Sequence, residues 1–513
     1  MTLLLASIPV LLLIILMAVF KMSGDKSGLI ALVVTALIAL FGFDMNMQDL
    51  GISFTYGALK AISPILIIIV MAIFSYNVLL KTEKIEIIKD QFSSISTDKG
   101  IQVLLLTWGF GGLLEGMAGF GTAVAIPCAI LISLGFKPVF SALVSLIANS
   151  VATGFGAVGT PVIVLGNETL AEGADITTHL QVLSANVVTQ LSFLMFVIPF
   201  ILLFLTDRSA NKLVRNIFLS LLVGGISLIG QYVAARYMGA ETPAIIGSIL
   251  SIIVIVAYAK ITERGAQVEK AKSHSAGEIL NAWSVYLFIL FFIIAASPIF
   301  PSLRATLKEA AITSFSLPMQ NGTELKYSIE WLTHAGLLLF LGAFIGGLIQ
   351  GASVGTLFGV LGKTILQLKK TYITIICLVG LSTIMDKSGM IAAIAAGLAA
   401  ATGSFYPFFA PIIGGLGTFI TGSDTSSNIL FGKLQSQVAG QITVDPQWLA
   451  AANTAGATGG KIISPQSIAI ATSASNQQGK EGEFLKASMP YALAYLIITG
   501  IVVYVVLEFG LLS

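Results

Sequence analysis

The sequence predicts an all-α polytopic membrane protein of about twelve transmembrane helices, with two inverted repeats that each hold a re-entrant hairpin and a broken helix. Three observations carry this. The 513 residues are 56% hydrophobic and only 10% charged, against roughly 25% charged in a soluble globular protein. Apolar runs near the ~20 residues that cross a bilayer recur along the whole length. Part of the chain is also written twice. Gly111-Gly112-Leu113, Gly119 and Thr122 recur 303 residues later as Gly414-Gly415-Leu416, Gly422 and Thr425. Ile126, Leu131 and Ser133 recur as Ile429, Leu434 and Ser436, and Ala148-Asn149, Gly156 and Pro161 recur with one residue of slip as Ala452-Asn453, Gly460 and Pro465. Helix breakers at matching places inside apolar units are the sequence mark of a secondary transporter's substrate site.

In order, the predicted spans are about 3–20, 28–43, 61–80, 139–166, 183–205 and 216–235, then about 242–259, 280–298, 333–361, 371–385, 448–473 and 487–510. The first run has no charge before it and no small-residue cleavage site after it, so it reads as a retained helix and not a signal peptide. Residues 82–96 place Ile85, Ile88, Phe92 and Ile95 on one face, as in an amphipathic helix at the membrane interface. Segments 101–134 and 405–436 read as hairpins: an apolar arm, a Gly/Thr/Ser tip and a second arm. From Thr122 to Leu134 a helix would rise only about 20 Å, short of the ~30 Å hydrocarbon core. The polar stretches 260–279 and 299–331 read as loops. The halves divide at residues 1–235 and 236–513, the first with hairpin 101–134 and broken helix 139–166, the second with hairpin 405–436 and broken helix 448–473.

The charges set the orientation. With both termini outside, 19 of the 27 Lys and Arg residues fall on the cytoplasmic side, as the positive-inside rule requires. Hairpin 101–134 then enters from the cytoplasm and hairpin 405–436 from outside, so the repeat is inverted. That arrangement suits alternating access.

The tips Gly119-Phe120-Gly121-Thr122 and Thr421-Gly422-Ser423-Asp424-Thr425 are predicted near mid-bilayer, where a new helix presents free N–H groups and its positive dipole end to an anion. Gly119, Gly121, Thr122, Gly422, Ser423 and Thr425 are therefore candidate substrate-binding residues. So are Asn149, Asn453 and Ser464 in the broken helices, where Pro161 and Pro465 free carbonyls and Asn offers both a donor and an acceptor. Charge at depth is costly, and three charged residues stand out. Lys461 is a candidate to neutralise a substrate carboxylate. Glu115 and Asp424 are candidates to carry a coupling proton, since desolvation favours a neutral carboxyl. None of the three is duplicated: Glu115 aligns with Thr418, Asp424 with Gly121 and Lys461 with Ala157.

The residues Glu115-Gly-Met-Ala-Gly-Phe-Gly-Thr-Ala-Val-Ala-Ile-Pro127, Gly156-Ala-Val-Gly-Thr-Pro161, Ser427-Asn-Ile-Leu-Phe-Gly432 and Gly460-Lys-Ile-Ile-Ser-Pro-Gln-Ser-Ile-Ala469 resemble the lactate permease family of bacterial secondary transporters over essentially the full length. The hairpin and broken-helix motifs also look like those of the wider ion transporter superfamily. The resemblance implies uptake of L-lactate, and also D-lactate and glycolate, by proton symport across the bacterial cell membrane, with an elevator-like motion and a homodimer as expectations. The dicarboxylate–sodium symporters of that superfamily carry a Ser-Asn-Thr triplet at each tip. Here the tips read Gly-Phe-Gly-Thr and Gly-Ser-Asp-Thr, which weakens any transfer of their sodium ligands. A sodium-coupled carboxylate symporter and an anion channel are the alternatives. No metal-ligand cluster, phosphate loop or nucleophile triad marks an enzyme, no cofactor is implied, and no basic patch points to nucleic acid.

Overall fold

The computed structural model describes residues 2–20, 22–93, 95–119, 121–263, 274–320, 324–477 and 480–510. The first half runs α1 (Thr2–Ile14), α2 (Gly24–Gly42), α3 (Met47–Lys60), α4 (Ile67–Lys81), α5 (Lys84–Ser93), then α6 (Lys99–Val103) joined through a π-wound stretch to α7 (Gly111–Met117), α8 (Thr122–Ser133), α9 (Pro138–Thr153), α10 (Gly156–Thr169), α11 (Ile176–Thr206) and α12 (Leu213–Met238). After α13 (Pro243–Thr262), α14 (Ala276–Ala295) and α15 (Pro301–Ala310) comes a two-stranded antiparallel hairpin, β1 (Ile312–Pro318) against β2 (Glu324–Glu330), with Ile312 opposite Glu330. The rest is α16 (Ala335–Ile349), α17 (Val354–Gln367), α18 (Lys369–Lys387), α19 (Met390–Thr402), α20 (Tyr406–Thr421), α21 (Asp424–Ile442), α22 (Pro446–Lys461), α23 (Pro465–Ala474) and α24 (Glu481–Glu508).

The polar residues between apolar runs start these helices. Asp98 caps α6, Asp175 caps α11 and Asp445 caps α22, each accepting from backbone N–H groups of the first turn. Ser275 and Glu278 form a reciprocal capping box on α14. Pro138, Pro243, Pro446 and Pro465 occupy first-turn positions, where the missing N–H costs nothing.

Packing pairs the two halves element by element. Helix α2 lies on α18 as α16 lies on α4. Helix α1 lies on α2 and α19 as α14 lies on α16 and α5, and α8 meets α9 and α23 as α21 meets α22 and α10. The bent helix α3–α4 thus corresponds to the bent pair α17–α18. Helices α12 and α13 stand outside this correspondence, packing on α11, on each other and on the first arm of hairpin 1.

The predicted hairpins are present as α6–α7 against α8, and α20 against α21. The second reaches Ile442, beyond the expected 436. Nine helices among the described residues are long and apolar enough to cross a membrane, or eleven if each bent pair is one span, against about twelve expected. Three expectations are corrected. The span at 333–361 is two helices, because the chain turns at Gly351 (φ 92°), and α17 continues across a 54° bend into α18. The span at 61–80 begins at Met47 and breaks at Ser63, whose extended backbone precedes Pro64. The loop 299–331 is structured: it holds α15 and the β-hairpin, whose Tyr327 hydroxyl donates to the Ser63 carbonyl. The predicted boundary at 235–236 falls within the last turn of α12. Helix α5 is shorter than the predicted 82–96, starting after Glu83, which has φ 59°. Its Ile85 and Ile88 are buried, while the Phe92 side chain lies outside the described residues.

Candidate functional site

Glycines make the two tips. Gly119 (φ 63°), Gly121 (φ 85°) and Gly422 (φ 73°) adopt left-handed backbone that glycine takes without steric cost. Thr122 donates to the Gly119 carbonyl at 2.8 Å and so starts α8. Ser423 caps α21, accepting from the Ser426 amide at 3.3 Å. Phe120 lies outside the described residues. In the first broken helix, Ala157 (φ 44°), Val158 (φ 55°) and Gly159 (φ 74°) form a left-handed turn between α9 and the body of α10. Each non-glycine residue held there costs on the order of 1–3 kcal/mol. In the second, α22 ends at Lys461 and Ser464 caps α23, accepting from Ser467 N.

The breaks and both tips meet at one cavity of about 290 Å³. Glu115, Gly119, Gly156, Gly422, Ser423, Asp424, Thr425 and Lys461 line it, joined by Thr153, Thr160, Thr421, Ser426 and Gln466. Its mouth is formed by Ser23 and Asp25 at the start of α2, and by Lys370, Thr371 and Thr374 of α18. Glu115 and Asp424 are each only 4% exposed. Glu115 rests on the first broken helix: a Cβ at Gly156 would lie 2.5 Å from its Oε1, and one at Gly119 would lie 3.6 Å away. Lys461 Nζ donates to the Gly422 carbonyl at 2.9 Å, and its charge acts on both carboxylates. Glu115 Oε2, both Asp424 carboxylate oxygens, Asn149 Oδ1 and Thr418 Oγ1 are buried with no hydrogen-bond partner among the described residues. Thr153 and Thr418 face Asp424, and Asn149 faces Glu115, without meeting hydrogen-bond geometry. Buried polar groups left unmatched cost about 1–3 kcal/mol each, so this cluster lowers the stability of the fold.

The cavity gathers seven of the twelve predicted residues: Gly119, Gly422, Ser423, Thr425, Lys461, Glu115 and Asp424. Gly121, Thr122, Asn149, Asn453 and Ser464 are not among its lining. Gly121 packs on the Ile470 side chain. Asn453 is engaged by the scaffold: it donates to the Ser427 carbonyl at 3.2 Å and Asn428 Oδ1 at 2.9 Å, and accepts from Gln435 at 3.3 Å. Asn428 in turn donates to the Pro161 carbonyl at 2.9 Å and Thr454 Oγ1 at 2.8 Å, tying hairpin 2 to both broken helices. The first copy has Val124, Ala125 and Ile132 where the second has Ser427, Asn428 and Gln435. Asn149 therefore has no such partners and lies against Glu115. The alignment of the two copies holds that signal. Asp25 and Lys370 also line the cavity; a charge beside the end of an apolar run carries no signal that singles it out.

A second cavity of about 1080 Å³ lies at the other ends of these elements, beside Lys60, Ser63, Asn167, Arg304, Lys387, Lys433 and the β-hairpin. Here Lys60 of α3 and Glu168 of α10 form a buried ion pair at 2.8 Å.

The sequence profile of the L-lactate permease family matches residues 2–509. The chain belongs to the L-lactate permease family. Among curated relatives of this permease family, an L-lactate permease of Streptococcus iniae is 41% identical over 87% of this chain and 93% of its own. Glycolate permease GlcA of Escherichia coli is 34% identical, over 97% of this chain and 94% of its own. An L-lactate permease of Bacillus subtilis is 32% identical over the same shares. The solved structure of MtrF from Neisseria gonorrhoeae, described as illuminating a class of antimetabolite efflux pumps, shares the fold: TM-score 0.51, 12% identity, 95% of each chain covered. This member of the permease family is a multi-pass membrane protein.

Proposed function

We propose that the chain takes up L-lactate, and also D-lactate and glycolate, with protons across the bacterial cell membrane by alternating access, with both termini outside. The cavity that joins both hairpin tips to Lys461, Glu115 and Asp424 carries this reading. The first tip reaches it through Gly119 and the N-terminal turn of α21 through Asp424, Thr425 and Ser426, one from each half, as inverted repeats would place them, and a helix N-terminus favours a carboxylate. Lys461 supplies one positive charge, which suits a monocarboxylate. The hydroxyls of Ser423, Thr425 and Thr160 are suited to a substrate hydroxyl.

Charge arithmetic supports proton coupling. With both acids ionised the empty site carries one net negative charge, and an entering monoanion raises that to two. Each proton taken by Glu115 or Asp424 removes one of these charges. Substrate and proton therefore favour each other's binding, and by linkage the effect is reciprocal. The names of the relatives, L-lactate and glycolate permeases, support the substrate class. Purified protein in liposomes tests the reading. Labelled L-lactate is expected to enter faster under an inward proton gradient than without one, with sodium replaced by choline throughout. No acceleration, or a strict need for sodium, overturns the coupling.

A further inference from the structure

Helix α13 carries an apolar stripe at helical spacing, Ile245, Ile249, Ile252, Ile253 and Val256, and the stripe ends at Lys260. It faces Trp283, Tyr286, Leu287 and Leu290 of α14 across a cavity of about 580 Å³. Leu113 and Met117 of hairpin 1 form its inner wall, and Gln91 and Ile95 close it on the side of α5. The groove is a seam. Helix α13 packs on α12 and hairpin 1, whereas α14 packs on α16, α4 and α5. It opens sideways, since Ile253 is 56% and Leu287 43% exposed. In a membrane-spanning chain, that face meets lipid tails and not water.

One end of the groove differs from the rest. Lys260 is exposed and makes no ion pair among the described residues. On the facing wall of the same cavity the Trp283 indole donates to Gln91 at 2.9 Å, and Trp is a residue enriched at membrane–water interfaces. From Lys260 to Ile249 the helix rises about 16 Å, close to the ~15 Å of one leaflet's hydrocarbon. A cation at interface level above a leaflet-deep apolar slot matches a molecule with an anionic head and an acyl tail. We propose that this seam binds an anionic phospholipid of the cytoplasmic leaflet, its phosphate beside Lys260 and one acyl chain between α13 and α14 against Leu113 and Met117. The lipid completes the packing between hairpin 1 and α14. This inference stands apart from the identity of the transported substrate.

The test is native mass spectrometry of the full chain in detergent, after addition of phosphatidylglycerol or phosphatidylcholine of equal chain length. The wild type is expected to retain phosphatidylglycerol in preference to phosphatidylcholine. Lys260→Ala should lower phosphatidylglycerol retention about fivefold, the weight of one cation at an anionic headgroup, and Lys260→Arg should restore it. Leu287→Trp, which fills the slot, should lower retention of both lipids. Lys363→Ala, an exposed lysine outside the groove, should change nothing. Equal retention of the two lipids by the wild type, undiminished retention by Lys260→Ala, or a free fatty acid in place of the phospholipid overturns the proposal.

Discussion

Replacing Lys461 by Met is the most direct trial of the candidate site. The substitution keeps an unbranched apolar stem at the end of α22 and removes one charge. Two consequences follow from the geometry. The Gly422 carbonyl loses its 2.9 Å donor, and Glu115 and Asp424 lose the cation that acts on both. Truncating one partner of a buried, hydrogen-bonded charge set costs about 2–5 kcal/mol in binding. Lys461 is only partly buried, so the lower end applies, about 2–3 kcal/mol, or roughly 30- to 150-fold in affinity. The expected outcome is a KM for L-lactate higher by about that factor in proteoliposomes, at unchanged protein level and thermal stability. The double variant Lys461→Met/Glu115→Gln removes one charge of each sign and should bind more tightly than Lys461→Met alone. A KM within about twofold of wild type in well-folded Lys461→Met would refute the placement of the substrate carboxylate beside this residue.

Four further predictions follow from the same geometry. Glu115→Gln and Asp424→Asn separate coupling from binding: whichever acid carries the proton, its variant should lose stimulation by a proton gradient and keep lactate counterflow. Gly156→Ala sets a methyl 2.5 Å from Glu115 Oε1, so uptake should fall at least tenfold while the protein still reaches the membrane; normal uptake would show that the carboxylate can move aside freely. Asn453→Ala should lower thermal stability by about 1–3 kcal/mol through the partners it strands, whereas Asn149→Ala should leave stability near wild type and alter transport; equal loss of stability in both would contradict the asymmetry of the two copies. Lys60→Met alone should destabilise by about 3–5 kcal/mol, because Glu168 is left buried and unpaired, and adding Glu168→Gln should recover part of that, read as midpoints of thermal unfolding.

The contrast between Asn149 and Asn453 shows how legible the site was. The matched breakers marked where the chain leaves helical geometry, and the cavity does form where both tips and both breaks meet. A duplicated letter, however, need not keep a duplicated role. Asn453 is fixed by Ser427, Asn428 and Gln435, while Val124, Ala125 and Ile132 leave Asn149 turned to Glu115. Many of the repeated glycines serve close packing as well. A Cβ at Gly414 or Gly460 would strike backbone of the neighbouring helix at Asn453 or Gly415, the small-residue contact that membrane helices favour.

The sequence by itself determined the solvent and the class of fold. Its apolar content, its helix-length runs and the distribution of Lys and Arg are local or summed properties, readable without any contact. It also located the three charges that line the cavity, because a charge between breakers in an apolar run stands out. Only the tertiary structure decided what those charges face. Glu115, Asp424 and Lys461 come from three segments hundreds of residues apart at the extremes, and no period in the chain encodes their convergence. The same holds for Asp25 and Lys370 at the mouth, for the left-handed turn at Ala157 and Val158, and for the seam between α13 and α14. Each exists because distant helices leave a space of a particular shape, and that shape is a property of packing rather than of any one segment.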